Sequence, residues 1–470
     1  MVFSDLFFIY GFMTVALILY FICRNTTQKN VIMVILSLLF YAWGEPKYVW
    51  LLILSSTVDY INGLIIDKYR DKIQSKLAVA NSLIVNLGLL CIFKYSGFIV
   101  TNINAWFNLG LPVPDIDLPI GISFYSFQTI SYTVDCYWDN VKVQKNYLKF
   151  LTYVSMFPQL VAGPIVRYSD IEHELDERHT TIDDFSQGVV RFSIGLGKKV
   201  ILANNLSTVV DTFFADGGIE YCSTVATWYA VICYSMQVYF DFSGYSDMAI
   251  GLGRIFGFHF NENFKHPFLC RDITEFWQRW HISLGSFFRD YLLYVPIFGI
   301  RNPYLSLFVV WFSTGLWHGA SWNYIIWGLY FGLFILIETK IGKKKLRRVP
   351  SAVMHIYNKL VIVIGFGIFY FENFNELGTF FKALVGLNGY GLIDDEFKIT
   401  FLNNVFLFIG AIVLTFPVFK PIQNLANSDS SKTKLFIGNM LQTVICLFIF
   451  VFSSILLVNA TNNPFLYFRF

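Results

Sequence analysis

Apolar residues gather in runs near 6–22, 31–43, 48–66, 78–93, 148–166, 223–240, 304–337, 360–371, 401–418 and 435–458. A weaker run at 189–203 is interrupted by Arg191, Lys198 and Lys199. A helix needs about 20 apolar residues to cross a hydrocarbon layer roughly 30 Å thick, so the pattern predicts an all-α polytopic membrane protein with about ten to twelve membrane segments. The stretch 302–337 holds no Asp, Glu, Lys or Arg. At about 1.5 Å per residue it is too long for one upright crossing, which predicts two passes, or one pass and a re-entrant piece. Gly315 and Gly319 are the expected break points. The one imidazole in this stretch is His318, in Thr314-Gly-Leu-Trp-His318-Gly-Ala-Ser-Trp322. A ring that can donate, accept or carry a proton persists in such surroundings when it faces protein or water, and two readings stand: a reactive group or a satisfied structural one.

The polar interruptions between the runs concentrate at 234–322. Asp241 and Asp247, in Asp241-Phe-Ser-Gly-Tyr-Ser-Asp247, stand six apart in apolar sequence. A regular helix does not align residues six apart, and a break at Ser243-Gly244 is the expected way to bring them round. They are read either as the lining of a cavity or as a packing network. Downstream, Thr274, Trp277, Trp280, His281, Leu284 and Phe288 recur at helical spacing, which predicts an aromatic, interfacial or half-buried helix with Glu275 and Arg279 paired on its flank. Arg279 and Arg289 are candidate anion anchors or positive-inside anchors. His281 is a second candidate for acid–base work or a helix-packing donor. His173, His179, His259, His266 and His355 lie near loops or charged stretches and carry less weight. Earlier, Pro119 to Asp135 and Phe157 to Arg167 place Ser, Gln, Asp, Pro and Gly inside aromatic runs, as a chamber lining or as structural kinks.

Composition agrees with the pattern: 55% of residues are hydrophobic, 14% are charged, and the 470 residues include 51 Phe, 27 Tyr and 11 Trp. No soluble globular domain needs this. The net charge of +3 comes largely from Lys68 to Lys76 and Lys340 to Arg348, loops that the positive-inside rule puts in the cytoplasm. The N-terminus then lies outside if 6–66 makes three crossings. The first run lacks a basic flank before it and a small-residue cleavage pattern after it, so it reads as a retained helix. No basic stripe with interleaved stacking residues calls for nucleic acid. Seven scattered Cys show no CxxC, and no HxxH, HxH or HExxH supplies a metal set. Gly251 to Gly257 lacks the lysine and hydroxyl of a phosphate loop, and no GxSxG elbow occurs. Without internal repeats or low-complexity tracts, residues 1–470 read as a single membrane-embedded domain.

Taken in order, Pro158 to Pro164, Asp241 to Asp247, Glu262-Asn-Phe, Phe276 to Leu284 with Phe288-Arg-Asp-Tyr291, Leu316 to Trp322 and the terminal Asn463 to Phe470 resemble the membrane-bound O-acyltransferase family. The nearest likeness is to its alginate O-acetylation branch, with similarity also to the D-alanyl-lipoteichoic acid transfer proteins. The resemblance implies a multi-helix bundle around a funnel or tunnel, with re-entrant or interfacial helices. It implies catalytic roles for His318 and His281, with Asp241, Asp247, Trp280, Arg289, Asp290 and Trp317 as substrate contacts. It further implies acetyl-CoA or another acyl thioester as donor, with no tightly bound cofactor and no metal. The acceptor is then a hydroxyl of an extracytoplasmic polysaccharide, or a membrane-anchored or extracytoplasmic partner protein. Gln278 and Gly285 stand where the family pattern calls for a basic residue and a serine, which bears on the acceptor more than on the reaction. D-alanyl transfer and a non-enzymatic transporter are the alternatives. A transporter moves an unchanged substrate, whereas an acyltransferase consumes a thioester.

Overall fold

In hydrocarbon each backbone N–H and C=O must be satisfied within the segment that carries it, and the apolar runs answer by forming helices. The computed structural model describes residues 2–160, 163–294, 302–426 and 432–458, and every regular element among the described residues is helical. The motif residues Val161 and Ala162 and the terminal Asn463 to Phe470 lie outside the described residues. The chain divides into two compact units: residues up to Phe192 with Tyr245–Glu262, and Ser193–Gly244 with Asn263 onward.

The first unit contains α1 (Met13–Ile22), α2 (Thr26–Gly44), α3 (Val49–Lys68), α4 (Ile73–Leu90), α5 (Ser96–Phe107), α6 (Ile122–Tyr137), α7 (Tyr147–Ser155), α8 (Phe157–Leu160), α9 (Tyr168–Asp176) and the start of α10 (Ile182–Gly197). Nearly every side chain of α6 is buried, including the Ser, Thr and Gln residues that interrupt its aromatic run. Two of those polar groups join a network on Asp59, which is fully buried. Its carboxylate accepts from Asn62, Thr133 and Asn86, and Asn86 accepts in turn from Ser55 and Thr129. These bonds tie α3, α4 and α6 together where apolar contact cannot distinguish a helix from lipid.

The second unit holds the end of α10, then α11 (Asn204–Phe214) and the first part of α12 (Thr224–Ile255). It continues with α13 (Ile273–Arg279), α14 (Ile282–Phe288), α15 (Pro303–His318), α16 (Trp322–Ile341), α17 (Lys343–Leu346), α18 (Ser351–Tyr370), α19 (Phe374–Leu384), α20 (Asp395–Leu414), α21 (Lys420–Ala426) and α22 (Lys432–Val458). The uncharged stretch resolves into the hairpin of α15 and α16, with the break at Gly319, whose backbone is extended. Gly315 is not a break point. It sits inside α15, where a Cβ would come within 2.3 Å of the Tyr324 carbonyl oxygen, and Gly328 on α16 is equally close to that of Trp311. Small residues therefore set the spacing of this hairpin, as they do between membrane helices generally.

Two other expectations change. The aromatic helix expected through His281 is two short helices, because His281 takes a left-handed backbone at φ 45° and the chain turns there. No break occurs at Ser243-Gly244: α12 runs unbroken from 224 to 255, so Asp241 and Asp247 leave it on different sides. Among the described residues, six helices are long and apolar enough to cross a membrane: Val49–Lys68, Ile73–Phe107, Trp322–Ile341, Ser351–Tyr370, Asp395–Leu414 and Thr433–Val458. Other expected segments are shorter, such as Phe7–Ile22 and the nine residues of α7.

Replacing Gly328 with Ala should force α15 and α16 apart and cost about 1–3 kcal/mol, as overpacking does. Gly410→Ala on α20, where a Cβ meets nothing within 4 Å, serves as the reference. Thermal unfolding in detergent should separate the two, and equal midpoints would contradict the close-approach account.

Candidate active site

The site begins at the first turn of α13. Asp272 caps it by accepting from the Glu275 N–H at 2.7 Å, and Glu275 accepts from the Arg271 N–H and pairs with Arg279 as expected. Glu338, buried near the end of α16, accepts from the N–H groups of Ile273 and Thr274 at 2.8 and 2.9 Å, from the Thr274 hydroxyl at 2.6 Å and from the Tyr357 hydroxyl at 3.2 Å. One carboxylate thus locks α13 onto α16 and α18. Trp277 packs against Trp311, Trp327 and Phe331, while Trp280 lies among Tyr239, Phe264, Phe276 and Phe366.

The turn after α13 presents His281. The Asn263 side-chain oxygen accepts from the Ser283 backbone N–H at 3.1 Å and from its hydroxyl at 2.9 Å, and lies 3.3 Å from His281 Nδ1. The backbone donor fixes the orientation of the amide, so the oxygen faces Nδ1 and Nδ1 carries the proton. Nε2 then carries the lone pair. Burial pushes the imidazole from its ordinary 6.5 down to about 3, so the ring is neutral at working pH. Phe242 stands perpendicular to it at 4.6 Å between centroids, and Trp317 lies 5.7 Å away.

His318 is the last residue of α15, and 8% of it is exposed. Trp317, Trp327 and Phe369 surround its ring with centroids at 5.0, 4.8 and 5.3 Å. Asn323 donates to the Ile368 and Phe369 carbonyls and so holds the end of α18 that carries Phe369. Trp317 touches both histidine rings, which places His281, Trp317 and His318 in one aromatic cluster.

The remaining expected residues are elsewhere. Asp241 is buried in an ion pair with buried Lys199 at 2.5 Å. Asp247 belongs to the first unit, where Arg191 binds it and also grips both carboxylate oxygens of Glu262. Trp280 is core packing of α13. Arg289 and Asp290 chelate one another in the π-helical segment Arg289–Leu293 that continues α14, with Arg289 exposed.

Comparison with known proteins bears on this cluster. The profile of the membrane-bound O-acyltransferase family matches residues 139–375, a segment that includes both histidines. The chain is 35% identical to "Probable alginate O-acetylase AlgI" of Pseudomonas putida, with all of both chains covered. The chain belongs to the membrane-bound O-acyltransferase family. It is also 31% identical to the peptidoglycan O-acetyltransferase of Helicobacter pylori, over 100% of this chain and 98% of that one. Likeness to the teichoic acid D-alanyltransferase of Bacillus subtilis is 28% over 54% of this chain and 68% of that protein. The protein is a multi-pass membrane O-acyltransferase.

Several residues that hold this acyltransferase's helices or line its candidate site were not singled out in its sequence. Lys199 stood only as an interruption of an apolar run, although a lysine in one such run and an aspartate in another is itself the signal of a pair. Glu338 was hidden next to the basic loop that follows it. Trp327 and Phe369 had no signal beyond aromaticity, because the fold alone brings them to His318.

The buried pair should show strong coupling. Lys199→Met or Asp241→Asn alone should cost about 3–5 kcal/mol by stranding a charge or its partner, and Lys199→Met with Asp241→Leu should recover much of the loss. Additive effects in denaturant unfolding would sink this. The lowered pKa of His281 fixes a second sign: its contribution to stability is complete above about 6.5 and is lost as pH falls toward about 3, because the unfolded chain takes up the proton first. His281→Asn, which tolerates the left-handed backbone, should therefore lose less stability than the wild type between about pH 7 and about pH 4.5. An equal loss in thermal unfolding would count against a neutral, buried His281.

Proposed function

We propose that this acyltransferase moves an acetyl group from acetyl-CoA to a hydroxyl of an extracytoplasmic polysaccharide, or to a partner protein that passes it on, with His318 as the catalytic base. The observation that carries the reading is the burial of His318 among Trp317, Trp327 and Phe369. The acetyl group and the polysaccharide are supported by the two full-length relatives, both named for O-acetyl transfer to a polysaccharide.

The chemistry follows from the position of the ring. The acceptor oxygen attacks the thioester carbonyl carbon as His318 takes its proton, and a C–O bond forms. When the carbonyl re-forms, the C–S bond breaks and the thiolate takes the proton from the imidazolium. A site walled by aromatic rings excludes water, which would otherwise compete as acceptor and weaken each oriented polar contact. His281, held neutral with Nε2 carrying its lone pair, accepts a hydrogen bond from the incoming hydroxyl and orients it. Trp327 lies roughly 16 Å along α16 from Glu338 by helical rise, so the reacting centre sits well away from the basic Lys340 to Arg348 loop. That loop attracts the phosphates of the donor, whose long arm then extends toward His318. Asp241 and Trp280 act in this reading by holding the helices around the cluster, Asp241 through Lys199 and Trp280 through its aromatic contacts.

At matched folded fractions in detergent, His318→Ala and His318→Gln should each lower thioester-dependent acylation by about 10² to 10⁴. Labelled acetyl-CoA and a D-alanyl thioester, offered separately with candidate acceptors, identify the donor. Near-normal turnover by both variants would refute the role of His318, and preferential use of the D-alanyl thioester would overturn the acetyl assignment.

A further inference from the structure

Helix α16 carries two buried polar atoms that no described residue satisfies, and one of them belongs to the ring packed on His318. Trp327 is 2% exposed, and its indole N–H meets no acceptor among the described residues. Its ring lies 4.8 Å from that of His318, nearly perpendicular at 82°. Four residues earlier, on the same helical face, Asn323 is fully buried. Its amide nitrogen donates to the Ile368 and Phe369 carbonyls, which fixes the orientation of the side chain. The remaining oxygen meets no donor among the described residues. Buried polar groups in native proteins are nearly always paired, and an exception calls for an explanation. A packing role explains the indole ring of Trp327, but phenylalanine would fill that role without burying an unmet donor. An unmet donor on the ring packed against a base suits a reaction in which charge develops on a carbonyl oxygen.

We infer that the Trp327 indole N–H is the oxyanion donor of the transfer reaction. This rests on His318 as the base. As the acceptor oxygen bonds to the thioester carbon and its proton passes to His318, the carbonyl π electrons move onto oxygen. That oxygen accepts the hydrogen bond from Trp327 Nε1, and the bond is released when the carbonyl re-forms and the thiolate departs. The donor is neutral, keeps its proton at any working pH, and is held in place before reaction by Trp277 and Phe369. A donor preorganised in a water-excluded site stabilises charge only as it develops, so its loss falls on kcat.

The test compares the purified full-length protein with Trp327→Phe, and with a form in which the Trp327 indole is replaced by benzothiophene through a non-natural amino acid. The second keeps the shape of the ring and exchanges the N–H for sulfur, so it answers the question even if phenylalanine disturbs packing. With labelled acetyl-CoA, both should lower kcat by about 10² to 10³ at matched folded fraction, with KM changed by no more than about threefold. A fall of less than about tenfold in the benzothiophene form, or a loss confined to KM, would overturn the inference. His318→Gln is measured alongside: if it turns over normally, the reading of His318 fails and the inference with it. If His318→Gln is inactive and the benzothiophene form is not, Trp327 alone is refuted.

Discussion

The contact on which the candidate site depends is the buried carboxylate of Glu338 against the first turn of α13. A seven-residue helix has few internal hydrogen bonds, and its leading N–H groups have no partner within it. Glu338 supplies that partner from α16, with Tyr357 of α18 bonded to the same carboxylate. The contact fixes the register of α13 along α16. Trp277 then meets Trp327, and the turn that follows carries His281 to Trp317. A short helix that would be marginal alone becomes a rigid bracket between the two histidines.

Aromatic residues do more here than anchor the chain at a membrane interface. Rings from α13, α15, α16 and α18 interlock around His318 through edge contacts, which allow dense packing without the flexibility of long aliphatic side chains. The packing this produces is dense, and the polar atoms within it are ring nitrogens of Trp277, Trp317, His318 and Trp327. Elsewhere in the protein, polar groups serve as packing glue: the Asp59 network joins three helices, and the pair of Lys199 with Asp241 joins the stretch after α10 to α12. At α16, by contrast, Asn323 Oδ1 and Trp327 Nε1 are buried without a partner among the described residues.

Much of this was legible in the sequence where a local rule applies. Hydropathy gave the helical class and the uncharged hairpin, and the ordered motifs gave the family. The misread positions share a cause. Helical spacing from Thr274 to Phe288 looks the same whether or not one residue takes a left-handed backbone, and His281 does so because the Asn263–Ser283 contacts reward the turn. Gly315 and Gly319 are alike as letters, yet one permits a helix to approach and the other ends a helix. The partners of Asp241 and Asp247 lie 42 and 56 residues away, at Lys199 and Arg191, beyond the reach of any spacing rule.

The central claim is that acyl transfer occurs inside the aromatic cluster of His318. It is tested most directly by a cryo-electron microscopy map of the protein with an acetyl-CoA analogue in which a methylene replaces the thioester sulfur, leaving an unreactive ketone. The account predicts the ketone carbon about 3–4 Å from the His318 ring, with the arm running along α16 toward the basic loop. A ketone found outside the cluster of Trp317, His318, Trp327 and Phe369 would contradict it.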